Sequence, residues 1–152
     1  MELRNELAYV LSKKSVREFD AQVSKNVGEL FALGEQHLTF AMALSANHWR
    51  QIVSRSYYGA YNVSKAVRLA VKGQYSREGK DHERIGELPD DLPNQNKYSN
   101  RLRVLRDDRN LSDYDHTIAS TDLAISPAEA KVLVSDFLRE ARTYLRARKF
   151  RV

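Results

Sequence analysis

Arg109 and His116 stand seven residues apart in the run Leu105-Arg-Asp-Asp-Arg109-Asn-Leu-Ser-Asp113-Tyr114-Asp115-His116. Arginine holds a permanent cation in a rigid fork of donors that matches phosphate oxygens. Histidine titrates near neutrality and can take or return a proton at physiological pH. Metal-free cleavage of RNA needs both: a proton removed from a 2′-hydroxyl, charge stabilised on the phosphorane, and a proton delivered to the leaving oxygen. If the run is helical throughout, seven residues at about 3.6 per turn return the two side chains to one face. Upstream, Tyr98, Leu102 and Leu105 lead to Arg109 by steps of four and three, so an apolar stripe ends in a cation and an imidazole. A plainer reading of the same residues also stands: Arg109 pairs with Asp113 at i,i+4, and His116 interacts with a helix C-terminus.

Two further groups bear on this chemistry. Tyr57, Tyr58 and Tyr61 fall at helical spacing; such tyrosines are commonly core residues whose hydroxyls seek a partner. The functional version has Tyr58 bonding Arg109 or Asp113, with Arg55 close enough on the same helix to meet phosphate. Near the C-terminus Arg139, Arg142, Arg146, Arg148, Lys149 and Arg151 face a single acid, Glu140. Arg142, Arg146 and Lys149 would share one helical face, which is either an RNA-backbone stripe or a solvated face favoured by the helix dipole.

Other chemistries find little to work with. The chain has no cysteine, which removes disulfides, thiolate nucleophiles and cysteine-based zinc sites. His37, His48 and His82 lie in different segments without metal-ligand spacing. Asp90-Asp91, Asp107-Asp108 and Asp113/Asp115 read as charge partners of nearby arginines. The glycines are isolated, so no phosphate-cradling loop is expected, and no serine elbow is present. No metal or cofactor is therefore expected. A formal charge of +5 permits an anionic partner without demanding one. No apolar run approaches the length of a membrane span and no signal peptide is apparent, so a cytoplasmic protein without membrane contact is expected.

The elements that must position these residues are helical. With 152 residues, six glycines, three prolines and no alternating strand pattern, the expected fold is one all-α domain, an up-and-down four-helix bundle with short additional helices. Leu3, Leu7, Val10 and Leu11 mark an amphipathic arm over residues 1–23, with a capping box at Ser15 and Glu18. The bundle is expected to begin near Ser24 and to occupy 24–152. Its second helix spans 48–71 and stops at Gly73. A long connection over 73–96 carries a short helix around 81–88, and a third helix runs over 95–114. Ser126-Pro127-Ala128-Glu129 is a strong start signal for the last helix: serine caps, proline takes the first position and glutamate reaches back.

Arg55-Ser-Tyr57-Tyr58-Gly-Ala-Tyr61-Asn-Val-Ser-Lys-Ala66, followed by a variable loop with His82 and then by Arg109 and Asp113-Tyr114, resembles the small prokaryotic HEPN-domain proteins over about residues 24–145. The resemblance implies a HEPN bundle, commonly a homodimer, with the arginine-to-histidine motif lining a cleft between subunits. It further implies a metal-independent endoribonuclease, with Arg109 and His116 catalytic and Asn110, Asp113 and Tyr58 supporting. The setting it suggests is a defence or toxin–antitoxin system, with RNA as substrate and a cognate antitoxin or nucleotidyltransferase-like protein as partner. The motif departs from the toxins of HEPN–nucleotidyltransferase pairs in having Thr117 and Ile118 after the histidine instead of an early tyrosine. A non-catalytic HEPN module, binding a protein or nucleotide in the same cleft, is the rival expectation.

Overall fold

Phe19, Val23, Val27 and Phe31 recur in steps of four, and the last three are buried. A single apolar stripe therefore runs along α2 (Lys13–Ala43) in the computed structural model, which describes residues 2–73 and 79–152. The Ser12 hydroxyl caps this helix by accepting the Ser15 N–H at 3.2 Å. The expected start near Ser24 is thus corrected: Ser15 and Glu18 lie inside the helix, and the stripe simply continues upstream of Val27. The expected arm over 1–23 is shared between α1 (Glu2–Leu7) and the first turns of α2. The Arg4 guanidinium fastens α1 to α2 by donating to the Asp20 carboxylate at 2.9 Å.

Helix α3 (Trp49–Lys72) is the most enclosed element, packing against α2, α4 (Gln95–Tyr114) and α5 (Pro127–Ala147). Its close approach to α2 depends on missing side chains. A Cβ at Gly34 would stand 2.6 Å from Val63 Cγ2 and 2.8 Å from the Gly59 carbonyl oxygen. Helix α5 begins with the expected box, Ser126 accepting the Glu129 N–H while Glu129 accepts from Ser126.

Three short 3-10 segments, Ala46–His48, Gly79–Gly86 and Ser120–Asp122, complete the described helices. Residues 74–78, part of the connection expected over 73–96, lie outside the described residues. The Gly79–Gly86 segment is pinned between two helices. Ser64 Oγ on α3 donates to the Ile85 carbonyl at 2.9 Å, and Ser99 Oγ on α4 donates to the Gly86 carbonyl. A Cβ at Gly86 would come within 2.8 Å of the Ser99 carbonyl oxygen. The loop before α5 is held differently: the buried Asp108 carboxylate accepts the N–H groups of Ala124 and Ile125 at 3.0 and 2.8 Å. No strand occurs among the described residues, and none of their helices is long and apolar enough to cross a membrane.

Candidate functional site

Arg109 projects from the penultimate turn of α4 toward the tyrosines of α3. Its Nη2 donates to Tyr58 Oη at 2.7 Å, and its Nη1 donates to Asn110 Oδ1 at 3.1 Å. Nε stands 2.8 Å from Asp113 Oδ2, an ion pair in which the N–H does not lie on the line to the oxygen. The guanidinium carbon also sits 5.3–5.6 Å from the ring centres of Tyr57, Tyr58 and Tyr114. Burial pulls this cation's pKa down, but Asp113, Tyr58 and Tyr114 outweigh it and hold the pKa above the ordinary arginine value. Arg109 therefore contacts three other expected site residues, Asn110, Asp113 and Tyr58.

His116 is not among them. Helix α4 ends at Tyr114, and Asp115 has extended backbone, so the two-turn spacing that would align His116 with Arg109 is broken. His116 lies exposed in the bend just past the helix, without a hydrogen bond, ion pair or ring contact among the described residues. The Asp115 carboxylate turns forward to accept the N–H and hydroxyl of Thr117 at 2.8 and 2.6 Å. Arg50, at the start of α3, donates to the carbonyls of Ser112, Asp115 and Ile118. The backbone on both sides of His116 is thereby tied to α3.

The histidine that meets the arginine's surroundings is His82, from the Gly79–Gly86 segment. His82 Nδ1 lies 2.6 Å from Tyr57 Oη, and its ring stacks on Tyr61 at 4.3 Å and 16°. His82, Tyr57, Glu83, Arg106, Arg109 and Asn110 line one concavity of about 470 Å³. Burial first, and the Arg109 cation second, lower the His82 pKa from the ordinary 6.5, so the ring is neutral at pH 7. Burial likewise pushes the Tyr57 hydroxyl well above its ordinary value, keeping the phenol protonated.

A buried ion pair fixes the backbone from which His82 projects. Asp81, 1% exposed, accepts from Arg68 Nη2 at 3.1 Å and from Tyr61 Oη at 2.9 Å, with Lys65 Nζ at 3.7 Å. Sequence reading did not single out Arg106, and it named Tyr57 and His82 only as a core-type tyrosine and a loop histidine, without placing them beside Arg109. One signal was present: the Tyr57 and Tyr61 hydroxyls on an apolar face require partners, and the adjacent Asp81 and His82 supply them.

Tyr58 and Asp113 also border a second concavity, with Arg50, Gln51, Ser54 and Arg55. Arg55 lies 3.3 Å from His37 Nδ1 and 5.2 Å from the Phe40 ring centre, at the edge of this hollow.

The C-terminal cations do not form the expected stripe. Arg142 is paired with Glu35 of α2 and lies over the Phe31 ring. Arg146 Nε donates to the Val152 carbonyl at 2.8 Å. Lys149 lies beyond the end of α5 with φ 67°, so it no longer follows the helical register of Arg142 and Arg146. Comparison of the chain with family models, with curated proteins and with solved structures gives no match in any of the three.

Proposed function

We propose that this chain is a HEPN-like up-and-down four-helix bundle and a metal-independent endoribonuclease, acting in the cytoplasm as part of a defence or toxin–antitoxin system. The observation that carries the reading is the concavity in which Arg109 and His82 meet, with Arg106 and Asn110 on its wall. A guanidinium oriented in advance by Tyr58, Asn110 and Asp113 suits a phosphate whose charge grows during cleavage, because no reorganisation is needed at that moment. His116 is the proton-transfer group of this reading, carried on backbone that Arg50 grips on either side. In a homodimer two such sites would face one scissile phosphate. A cognate antitoxin or nucleotidyltransferase-like protein would then act by covering them.

The second reading is a non-catalytic HEPN module that binds a nucleotide or a partner protein in the same concavity. It is favoured by one observation: each nitrogen of Arg109 already faces a partner within the chain, and no contact joins Arg109 to His116. Incubation of the purified protein with mixed RNAs in EDTA separates the two. The endoribonuclease cleaves in EDTA, and Arg109→Ala and His116→Ala each slow it by about 10²-fold or more. A protein that binds these RNAs without cutting them is the binding module. Cleavage unaffected by either substitution removes the site from both readings.

A further inference from the structure

The Tyr57 hydroxyl has few choices. The residue is 1% exposed, and among the described residues its oxygen meets one polar partner, His82 Nδ1, at 2.6 Å. A phenol carries one hydrogen, whereas each nitrogen of a neutral imidazole carries either a hydrogen or a lone pair. Were the hydrogen on Nδ1, Tyr57 would accept it and its own O–H would have no acceptor among the described residues. Such orphaned donors are avoided in folded proteins. When Tyr57 donates instead, both groups are satisfied, and the hydrogen of the imidazole resides on Nε2.

The ring has little freedom to exchange these roles. Tyr61 stacks on it at 4.3 Å, and Tyr58 meets it nearly edge-on at 83°. Arg109 and Lys65 oppose a positive charge on the ring, against Asp81 alone in favour, and burial adds to the opposition. Nε2 meets no partner among the described residues, while the ring lines the same concavity as Arg109 and Arg106.

We propose that Tyr57 is a positioning residue that fixes His82 as an Nε2–H donor, so that the concavity recognises a phosphate oxygen through donors, His82 beside Arg109 and Arg106, instead of through a basic imidazole. This deepens the ribonuclease reading, on which it rests, by giving neutral His82 a part in stabilising the phosphate charge and leaving proton transfer to His116. Its test does not require cleavage.

Nitrogen-15 correlations of the His82 ring in the intact chain at pH 7 report the tautomer. The expected pattern is a bare Nδ1 and a hydrogen-bearing Nε2, with Tyr57→Phe moving both signals toward the average of a tautomer mixture. Inorganic phosphate, titrated against the same resonances, is the ligand probe. His82→Gln supplies an amide N–H near the position of Nε2 but cannot act as a base, and it is expected to bind phosphate within about threefold of the parent. His82→Ala is expected to bind about tenfold more weakly. Hydrogen on Nδ1, ring signals unmoved in Tyr57→Phe, no response of the parent to phosphate, or His82→Gln as weak as His82→Ala would each overturn the proposal. Failure to cleave RNA would overturn the ribonuclease reading and leave this one standing.

Discussion

Two arginine–aspartate pairs that flank the tyrosine cluster of α3 differ chiefly in depth. Arg68 and Asp81 join α3 to the Gly79–Gly86 segment with side chains 3% and 1% exposed. Arg109 and Asp113 lie four residues apart on α4 with side chains 15% and 25% exposed. A tyrosine completes each pair, Tyr61 donating to Asp81 and Tyr58 accepting from Arg109. The deep pair is cut off from water, so each charge depends on the other to offset its desolvation. The shallow pair borders a concavity, where a ligand oxygen can compete for the same donors. Similar residue types thus serve as a clamp in one place and as a candidate binding group in the other.

Stability measurements can break this distinction. Asp81→Ala leaves Arg68 charged and buried, and is expected to cost about 3–5 kcal/mol in chemical unfolding. The matching Asp113→Ala is expected to cost about 0.2–0.5 kcal/mol, as for other i,i+4 helix pairs. Comparable losses from the two would mean that depth does not separate them. The tyrosines sharpen the contrast at smaller scale. Tyr61→Phe removes a hydrogen bond to a buried carboxylate, at about 1.5–3 kcal/mol, whereas Tyr58→Phe at the more open pair should stay near 0.5–1.5 kcal/mol. A reversed order would place the structural clamp at Arg109.

The mildest probe is pH. The pKa of His82 and that of His37 are both lowered from 6.5, by burial first and by Arg109 and Arg55 respectively. Their contribution is therefore fully present above about pH 6.5 and is lost as pH falls through their folded pKa values, because the unfolded chain takes up protons first. Melting temperature should decline on acidification across that window, and less steeply in His82→Gln. An identical slope in that variant would show that His82 is not held neutral by the fold.

Much of the scaffold was legible because its signals are local. Ser126, Pro127 and Glu129 announce α5, and Gly73, with φ 78°, ends α3 where expected. The third helix follows the expected 95–114 range because its core side chains, Tyr98, Leu102 and Leu105, keep helical steps. The start of α2 was misplaced because Ser15 and Glu18 imitate a capping box inside a continuous helix. At the site, Tyr58 with Arg109 and Arg109 with Asp113 were both anticipated, the second by spacing within one helix. His82 was not, since its place beside Tyr57 depends on Ser64, Ser99 and Asp81 folding a distant segment onto α3 and α4. Lys149 leaves the helical face of Arg142 and Arg146 because α5 stops at Ala147.

Arg50 offers a last lesson about where a helix stops. The final carbonyls of any helix lack partners within it, and they form the negative pole of its dipole. At the end of α4 no glycine follows to fold the chain back over them. Instead a cation from the first turn of another helix caps that pole, taking a carbonyl from the last turn and two from the strand of backbone beyond it. The stop signal for α4 is thus written some sixty residues upstream, in a side chain that arrives only once the tertiary structure has formed. A helix end capped in this way can be loosened by a distant substitution: replacing Arg50 would leave the Ser112, Asp115 and Ile118 carbonyls without this donor, and the last turn of α4 is expected to exchange its amide hydrogens faster.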